Sequence, residues 1–189
     1  AFTALQGLRD KGQIKSGQKV LINGASGGVG TFAVQIAKSY DTEVTGVCST
    51  RNLDLVRSIG ADHVIDYTRE DFTRNGQRYD LIFDAVGNLS LSGCRRALTP
   101  DGICSVAGFK SLSRLFTVMA FGGRKIGLME TASANKKDLL VIKELLETGK
   151  MTPVIDRTYP FRETPEAIRY LETGRARGKV VVTVQGGQI

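Results

Sequence analysis

The chain of 189 residues is poor in the residues that build metal centres and disulfide frameworks. It has one histidine, three cysteines and no tryptophan. Cys48, Cys94 and Cys104 are widely spaced and odd in number, a pattern that fits neither a disulfide framework nor CxxC-type zinc ligation. No apolar run reaches the roughly 20 residues of a membrane-spanning helix, and the first residues lack the basic leader of a signal peptide. These absences predict a cytoplasmic protein without a metal or a membrane span.

Acidic residues are outnumbered, because 26 basic and 19 acidic side chains give a net charge of +7. The basic residues are scattered, with only short clusters such as Arg95 and Arg96, or Arg175 and Arg177. A nucleic-acid surface would normally concentrate them in a patch or stripe. The pattern therefore favours a solvated surface, or an anionic cofactor, over a nucleic-acid partner.

Glycine, in contrast, is abundant at one place: four glycines stand within the seven residues 24–30. An apolar, strand-like run precedes them, and the segment that follows has apolar side chains at the spacing of one helix face. A strand, a glycine turn and a helix together present unpaired N–H groups and a positive dipole end to a phosphate. The alternative is a glycine turn that only packs the helix on the strand. The predicted pyrophosphate contacts are the backbones of Ala25, Ser26, Gly27, Gly28 and Val29.

Strand-like and helix-like segments alternate through the first 150 residues. The six strand-like segments are 19–23, 42–48, 61–65, 79–87, 103–107 and 125–129. Their alternation with helices predicts an α/β Rossmann fold, a doubly wound parallel sheet with helices on both faces. Two halves of three strands give the order 3-2-1-4-5-6. We expect a dinucleotide-binding domain over 1–150 and a C-terminal tail over 151–189, because the sheet is complete before the last strand-like segment.

The end of the second predicted strand distinguishes NAD from NADP. An acidic residue about 20 positions after the glycines would bind the ribose 2′-hydroxyl of NAD, but no carboxylate appears before Asp54. Hydroxyl groups and a guanidinium, which suits a 2′-phosphate, stand there instead. The alternative is that this segment is solvated and caps the next helix. The residues that predict NADP(H) are Ser49, Thr50, Arg51 and Asn52.

Several motifs resemble the medium-chain dehydrogenase/reductase superfamily, in its zinc-free quinone oxidoreductase branch. Besides the glycine turn they are TAL at 3–5, GADHVIDY at 60–67, FDAVG at 83–87 and GKVV at 178–181. The resemblance implies an enzyme in which NADPH gives a hydride to a quinone or to the β-carbon of an α,β-unsaturated carbonyl. Two alternatives stay open: the cofactor domain of a zinc-type alcohol dehydrogenase, and an NADPH-responsive nucleic-acid or regulatory binding protein.

The same resemblance implies further cofactor contacts. It puts Tyr67 beside the adenosine phosphate, Val86 and Gly87 toward the nicotinamide ribose, and Gly108 and Phe109 at the nicotinamide amide. Each has a structural alternative: a surface aromatic, turn residues or a buried wall. We predict no catalytic side chain and no metal ligand, because the sequence has no paired carboxylates, no Ser-His-Asp set and no activated cysteine. Hydride transfer needs none, since the cofactor supplies the chemistry.

The resemblance also implies partners. The family has an N-terminal GroES-like catalytic domain that does not match this sequence, so the chain looks like a piece of a longer enzyme that reduces quinones negligibly by itself. The predicted sixth strand begins at Lys125 and ends at Met129. An edge strand offers unpaired backbone groups to a second copy, and the family dimerises in that way. We therefore expect a homodimer with a continuous sheet.

Overall fold

A computed structural model describes residues 1–108 and 112–184, which form a six-stranded parallel sheet in the order β3-β2-β1-β4-β5-β6. The strands are β1 Lys19–Asn23, β2 Glu43–Cys48, β3 His63–Asp66, β4 Tyr79–Asp84, β5 Leu98–Val106 and β6 Ile126–Leu128. The predicted α/β class, strand order and parallel pairing are confirmed. Strand β6 lies at the edge of the sheet, as predicted.

The sheet is buried on both faces. Side chains of β4 alternate between two apolar clusters, with Leu81 and Phe83 in one and Ile82 in the other. Strands buried on both faces read as continuous apolar runs, which is why the sequence pattern located them. The helices that cover the sheet are α1 Phe2–Gln6, α2 Gly30–Ser39, α3 Leu53–Ser58, α4 Leu91–Ala97, α5 Leu112–Phe121 and α6 Lys136–Glu147. A wider helical turn, Gly7–Lys11, continues α1.

The tail forms a separate two-stranded parallel sheet from β7 Ile155–Pro160 and β8 Lys179–Thr183, joined by α7 Thr164–Glu172. Its first residues belong to the main core: Met151 is buried, and the Gln35 side chain makes two hydrogen bonds with the Thr152 backbone. The division of the chain at residue 150 stays a prediction.

Three local expectations were wrong. Strand β5 begins at Leu98 rather than at residue 103, because its pairing with β4 is interrupted by a bulge at residues 99–102 that accommodates Pro100. The apolar spacing in α6 predicts that Leu139 and Leu146 face the core, but they are 55% and 41% exposed, since only a narrow stripe of this helix meets the core. Thr164 before Pro165 predicts a helix N-cap at Thr164, but α7 begins at Thr164 with Glu163 as the cap residue, because the Thr164 hydroxyl donates to the Phe161 carbonyl.

Across the described ranges, no helix is both long and apolar enough to cross a bilayer.

Candidate cofactor-binding site

A cleft of about 870 Å³ opens at the carboxyl edge of the sheet. The ends of β1, β2 and β4 line it, together with the segment between α7 and β8. Strand β1 lies between β2 and β4, so the connections of the two halves diverge at this point. In open α/β sheets, ligands bind at this switch point, outside the carboxyl ends of the strands.

The turn between β1 and α2 forms the floor of the cleft. The N–H groups of Gly24 and Ala25 donate to the Val47 carbonyl at 3.1 and 3.0 Å, and the Gly27 N–H donates to the Gly24 carbonyl at 3.0 Å. Gly24 has a φ of +82°, which favours glycine. At Gly30 a Cβ would stand 2.0 Å from the Gly24 carbonyl oxygen. The tight turn therefore requires glycine at both of its ends.

The N-terminus of α2 offers donors to this cleft. In the part of the chain that the structure describes, no side chain caps α2, and the N–H groups of Gly28 and Val29 make no hydrogen bond. A Cβ on Gly27 would meet only the Gly24 oxygen, at 3.4 Å, so the space beside it is open. Free N–H groups, the positive helix end and this space suit a phosphate group.

Lys179 adds a positive charge to the glycine turn. The Gly178 N–H donates to the Ser26 carbonyl at 2.9 Å, which fixes the start of β8 against the turn. The Lys179 Nζ then lies 3.3 Å from the position that a Cβ of Gly28 would take. Among the described residues, no carboxylate pairs with this ammonium. The floor of the cleft is thus suited to an anion.

The far end of the cleft gathers the residues that follow β2. Asn52 is buried and donates from Nδ2 to the hydroxyls of Ser26, at 2.9 Å, and Ser49, at 3.3 Å. Arg51 donates from Nη2 to the Arg175 carbonyl at 3.1 Å, and both residues line the cleft. Tyr67 is exposed beside them.

A carboxylate from β3 also comes close to this end. Asp66 lies opposite Cys48 in the sheet and accepts hydrogen bonds from the Thr50 hydroxyl and from the Thr68 hydroxyl and N–H. These bonds, first that from Thr50, hold the pKa of the Asp66 carboxyl below its ordinary value. Neither Asp66 nor Thr50 lines the cleft, because the Thr50 hydroxyl points toward the Asp66 carboxylate.

Asp84 shapes the wall of the cleft at the end of β4. Its buried carboxylate accepts from the Asn23 side chain at 2.7 Å and from the N–H groups of Val86 and Gly87 at 3.1 and 2.9 Å. The hydrogen bonds fix the loop after β4, and the Val86 side of that loop faces the cleft.

Most of the predicted contacts come together. The predicted residues that line the cleft are Ser26, Gly27, Gly28, Val29, Ser49, Arg51, Asn52, Tyr67 and Val86. Those that do not line it are Ala25, Thr50, Gly87 and Gly108. Ala25 is fully buried, and Gly108 is packed so closely that a Cβ would stand 2.7 Å from the Ala85 oxygen. Phe109 lies outside the described residues.

Several residues that line the cleft were not predicted as cofactor contacts. The GKVV motif contained Lys179 without predicting a role for it, and Arg175 stood out only as part of a short basic cluster. The omitted lining residues include Lys179, Arg175, Glu70, Asp71, Phe72 and Leu89.

The Cys48 thiol lines the cleft without being a nucleophile. Burial, followed by the nearby Asp66 charge, raises the pKa of the thiol to about 11, so it is protonated at neutral pH. The described chain also holds no group of three or more His, Cys, Asp or Glu side chains placed to bind a metal ion.

Comparison with known proteins gives consistent matches. The family described as zinc-binding dehydrogenase matches residues 59–182. The human mitochondrial NAD(P)H oxidoreductase RTN4IP1 is 36% identical over 212 residues, which cover 97% of this chain and 52% of that protein. The 2-methylene-furan-3-one reductase of Solanum lycopersicum is 35% identical over 184 residues, covering 95% of this chain and 44% of the relative. This chain thus spans about half the length of these curated relatives.

A solved structure resembles the whole fold. The quinone oxidoreductase from Coxiella burnetii superposes with a TM-score of 0.85 at 29% identity, over 98% of this chain and 58% of that chain.

Proposed function

Because this chain belongs to the zinc-binding dehydrogenase family, in the quinone oxidoreductase-like branch of the medium-chain dehydrogenase/reductase superfamily, we propose that it is the NADPH-binding part of an oxidoreductase. Its hydride acceptor would be a quinone or an α,β-unsaturated carbonyl. The observation that carries the proposal is the cleft, whose two ends are each suited to a phosphate. One end has the glycine turn with Lys179, and the other has Arg51 with Arg175.

The names of the relatives support the same chemistry. They describe an NAD(P)H oxidoreductase, a furanone reductase and a quinone oxidoreductase. These activities favour hydride transfer to a quinone or an enone over the zinc-type alcohol dehydrogenase and nucleic-acid-binding alternatives. The human relative is named as mitochondrial, so a cytoplasmic location is still only a prediction.

In this proposal the glycine turn binds the pyrophosphate. The N–H groups of Gly28 and Val29 donate to its oxygens, and the positive end of α2 and the Lys179 ammonium stabilise its charge. At the other end, Arg51 forms a bidentate pair with the 2′-phosphate, next to the Ser49 hydroxyl. In this proposal Asp66 does not bind a ribose hydroxyl, because it does not line the cleft and accepts hydrogen bonds from Thr50 and Thr68.

Hydride transfer depends more on how the protein orients the nicotinamide than on reactive side chains. The nicotinamide of NADPH supplies the hydride. The loop that Asp84 holds, with Val86 and Gly87, would form the wall against which the nicotinamide ribose rests, and Gly108 would lie next to it. Although zinc is part of the family's name, the described residues offer it no site. The proposed roles therefore belong to the chain's own backbone and side chains.

Replacing Arg51 with glutamine tests the choice of cofactor. A hydrogen bond to a charged group contributes about 1.5–3 kcal/mol, so we expect NADPH affinity to fall roughly 10- to 100-fold. NADH lacks the 2′-phosphate, and its affinity should change less than about threefold. Titrations of both cofactors, followed by the fluorescence of the reduced nicotinamide, measure the two changes.

Arg162→Gln is the matched control, because it removes the same charge from an exposed turn after β7. It should leave both affinities unchanged. Equal losses for NADPH and NADH in Arg51→Gln would show that Arg51 positions the whole dinucleotide and does not recognise the 2′-phosphate.

We also propose that two copies pair through β6. This edge strand has no neighbour on its outer side within the described sheet. The Ile126 N–H already donates to the Gly122 carbonyl, so pairing with a second strand would use the groups at Leu128. Sedimentation velocity should show a dimer. Leu128→Pro should convert it to a monomer, since proline lacks the N–H that pairing needs. A monomeric wild-type chain at micromolar concentration would contradict this arrangement.

A further inference from the structure

A second pocket opens at the amino edge of the sheet, far from the cofactor cleft. It has a volume of about 340 Å³ and lies between the end of α4, the bulge in β5 and the turn before β6. All six strands of the sheet are parallel, so the two sites lie beyond opposite strand ends. Strand β4, with six residues, separates the two edges by about 20 Å.

Four cations line this amino-edge pocket: Arg78, Arg95, Arg124 and Lys125. No carboxylate is among its lining residues. Within the described ranges, none of the four forms an ion pair with an acidic side chain. Like charges gathered without counter-charges repel one another, so the pocket is an unneutralised positive site.

Backbone carbonyls hold three of these cations in place. Arg78 donates from Nη1 to the Leu98 carbonyl at 3.0 Å, and Arg95 donates from Nη2 to the Phe121 carbonyl at 2.7 Å. Lys125 donates from Nζ to the Pro100 carbonyl. A carbonyl orients a cation without cancelling its charge. The bulge in β5 therefore has a role, because it presents the Leu98 and Pro100 oxygens that position two of the side chains.

We propose that the amino-edge pocket binds a small ligand with two or three linked phosphates. Guanidinium groups pair with phosphate oxygens in a bidentate way. Several linked phosphates match four cations, whereas a single carboxylate would leave most of their charge uncompensated. The volume is that of a small-molecule site. No aromatic side chain lines the pocket, so it lacks the stacking platform of a single-stranded nucleic-acid site.

The test titrates inorganic tripolyphosphate into the chain by calorimetry, with NADPH saturating the cofactor cleft. We expect one binding event per chain. The double variant Arg95→Gln/Arg124→Gln should weaken it at least tenfold while NADPH affinity changes less than twofold. Arg124 makes no hydrogen bond to a described residue, so Arg124→Gln alone keeps its fold and should weaken binding at least threefold.

Two controls separate this site from general charge and from the cofactor cleft. Lys15→Gln/Lys150→Gln removes two exposed charges elsewhere and should leave the tripolyphosphate affinity unchanged. Arg51→Gln, titrated with enough NADPH to saturate its cofactor cleft, should also leave it unchanged. The binding of tripolyphosphate at the amino-edge pocket can then be judged separately from the proposed role of Arg51 in NADPH binding.

A parallel titration with ATP identifies the source of the phosphates. Equal affinities would assign recognition to the phosphates alone, and tighter binding of ATP would assign a nucleotide. Three results would overturn the proposal: no heat in the NADPH-saturated chain, the same loss in the Lys15/Lys150 control, or displacement of tripolyphosphate by single-stranded RNA with a steep salt dependence.

Discussion

Replacing Gly30 with alanine should lower NADPH affinity at least a hundredfold and reduce the free energy of unfolding by about 1–3 kcal/mol. The added Cβ would stand 2.0 Å from the Gly24 oxygen and 2.8 Å from the Ala25 Cα. Both are backbone atoms, so no side chain can rotate to relieve the contact. The turn must therefore move, and with it the N–H groups that bind the pyrophosphate. The intrinsic helical preference of alanine over glycine, about 1 kcal/mol, is too small to compensate.

Gly27→Ala is the matched control for this prediction. Its Cβ would meet only the Gly24 oxygen, at an ordinary 3.4 Å, and would otherwise enter the open cleft. Urea unfolding should therefore leave its stability within about 0.5 kcal/mol of the wild type. NADPH affinity should still fall, because the methyl group occupies the pyrophosphate space. Wild-type affinity in Gly30→Ala would mean that the turn is not the pyrophosphate site.

The fold was predictable because its signals are local and repeated. Buried strands such as β4 are continuous apolar runs, and their alternation with helices leaves few possible topologies. The errors occur where tertiary packing overrides a local pattern. Pro100 is a turn signal in the sequence, yet the bulge lets β5 begin before it. Leu139 has the spacing of a core residue, but α6 presents it to solvent.

The candidate site was predictable only where it is built from single segments. The glycine turn and residues 49–52 are each one continuous segment, so their chemistry could be predicted from the sequence alone. Lys179 and Arg175 reach the cleft from a segment about 150 residues after the glycine turn. Asp66 comes beside Thr50 through strand pairing. The amino-edge pocket could not be predicted for the same reason, since its cations come from separate segments. Arg95 stood out in the sequence only as part of a short basic cluster.

A second large effect is expected at Asp138, which belongs to no motif that would single it out in the sequence. Its side chain is 2% exposed and accepts from Arg9 Nη1 at 2.5 Å, from Gln6 at 2.7 Å and from Asn135 at 2.9 Å. These contacts connect α6 to the α1 segment. Asp138→Ala removes the buried acceptor that these three donors share, and breaking a buried ion pair costs about 3–5 kcal/mol. Since Arg9 is 30% exposed, we expect about 3 kcal/mol in urea unfolding.

Asp10→Ala is the control for Asp138→Ala, because Asp10 pairs with the same guanidinium at the surface. An exposed pair contributes only about 0–1 kcal/mol. If the two variants lose equal stability, Arg9 is held by its surface partner, and the buried network does not connect the helices.

The pH dependence separates the charge of Asp138 from its packing. The hydrogen bond from Arg9, the largest cause, holds the pKa of the Asp138 carboxyl well below its ordinary value. A carboxyl with a depressed folded pKa stabilises the protein above its unfolded pKa of about 3.9. That contribution is lost as the pH falls through the folded value. The difference in unfolding free energy between the wild type and Asp138→Ala should therefore be constant from about pH 5 to 8 and narrow below about pH 4. A difference that persists unchanged in acid would mean that Asp138 stabilises the contact by its shape and neutral hydrogen bonds alone.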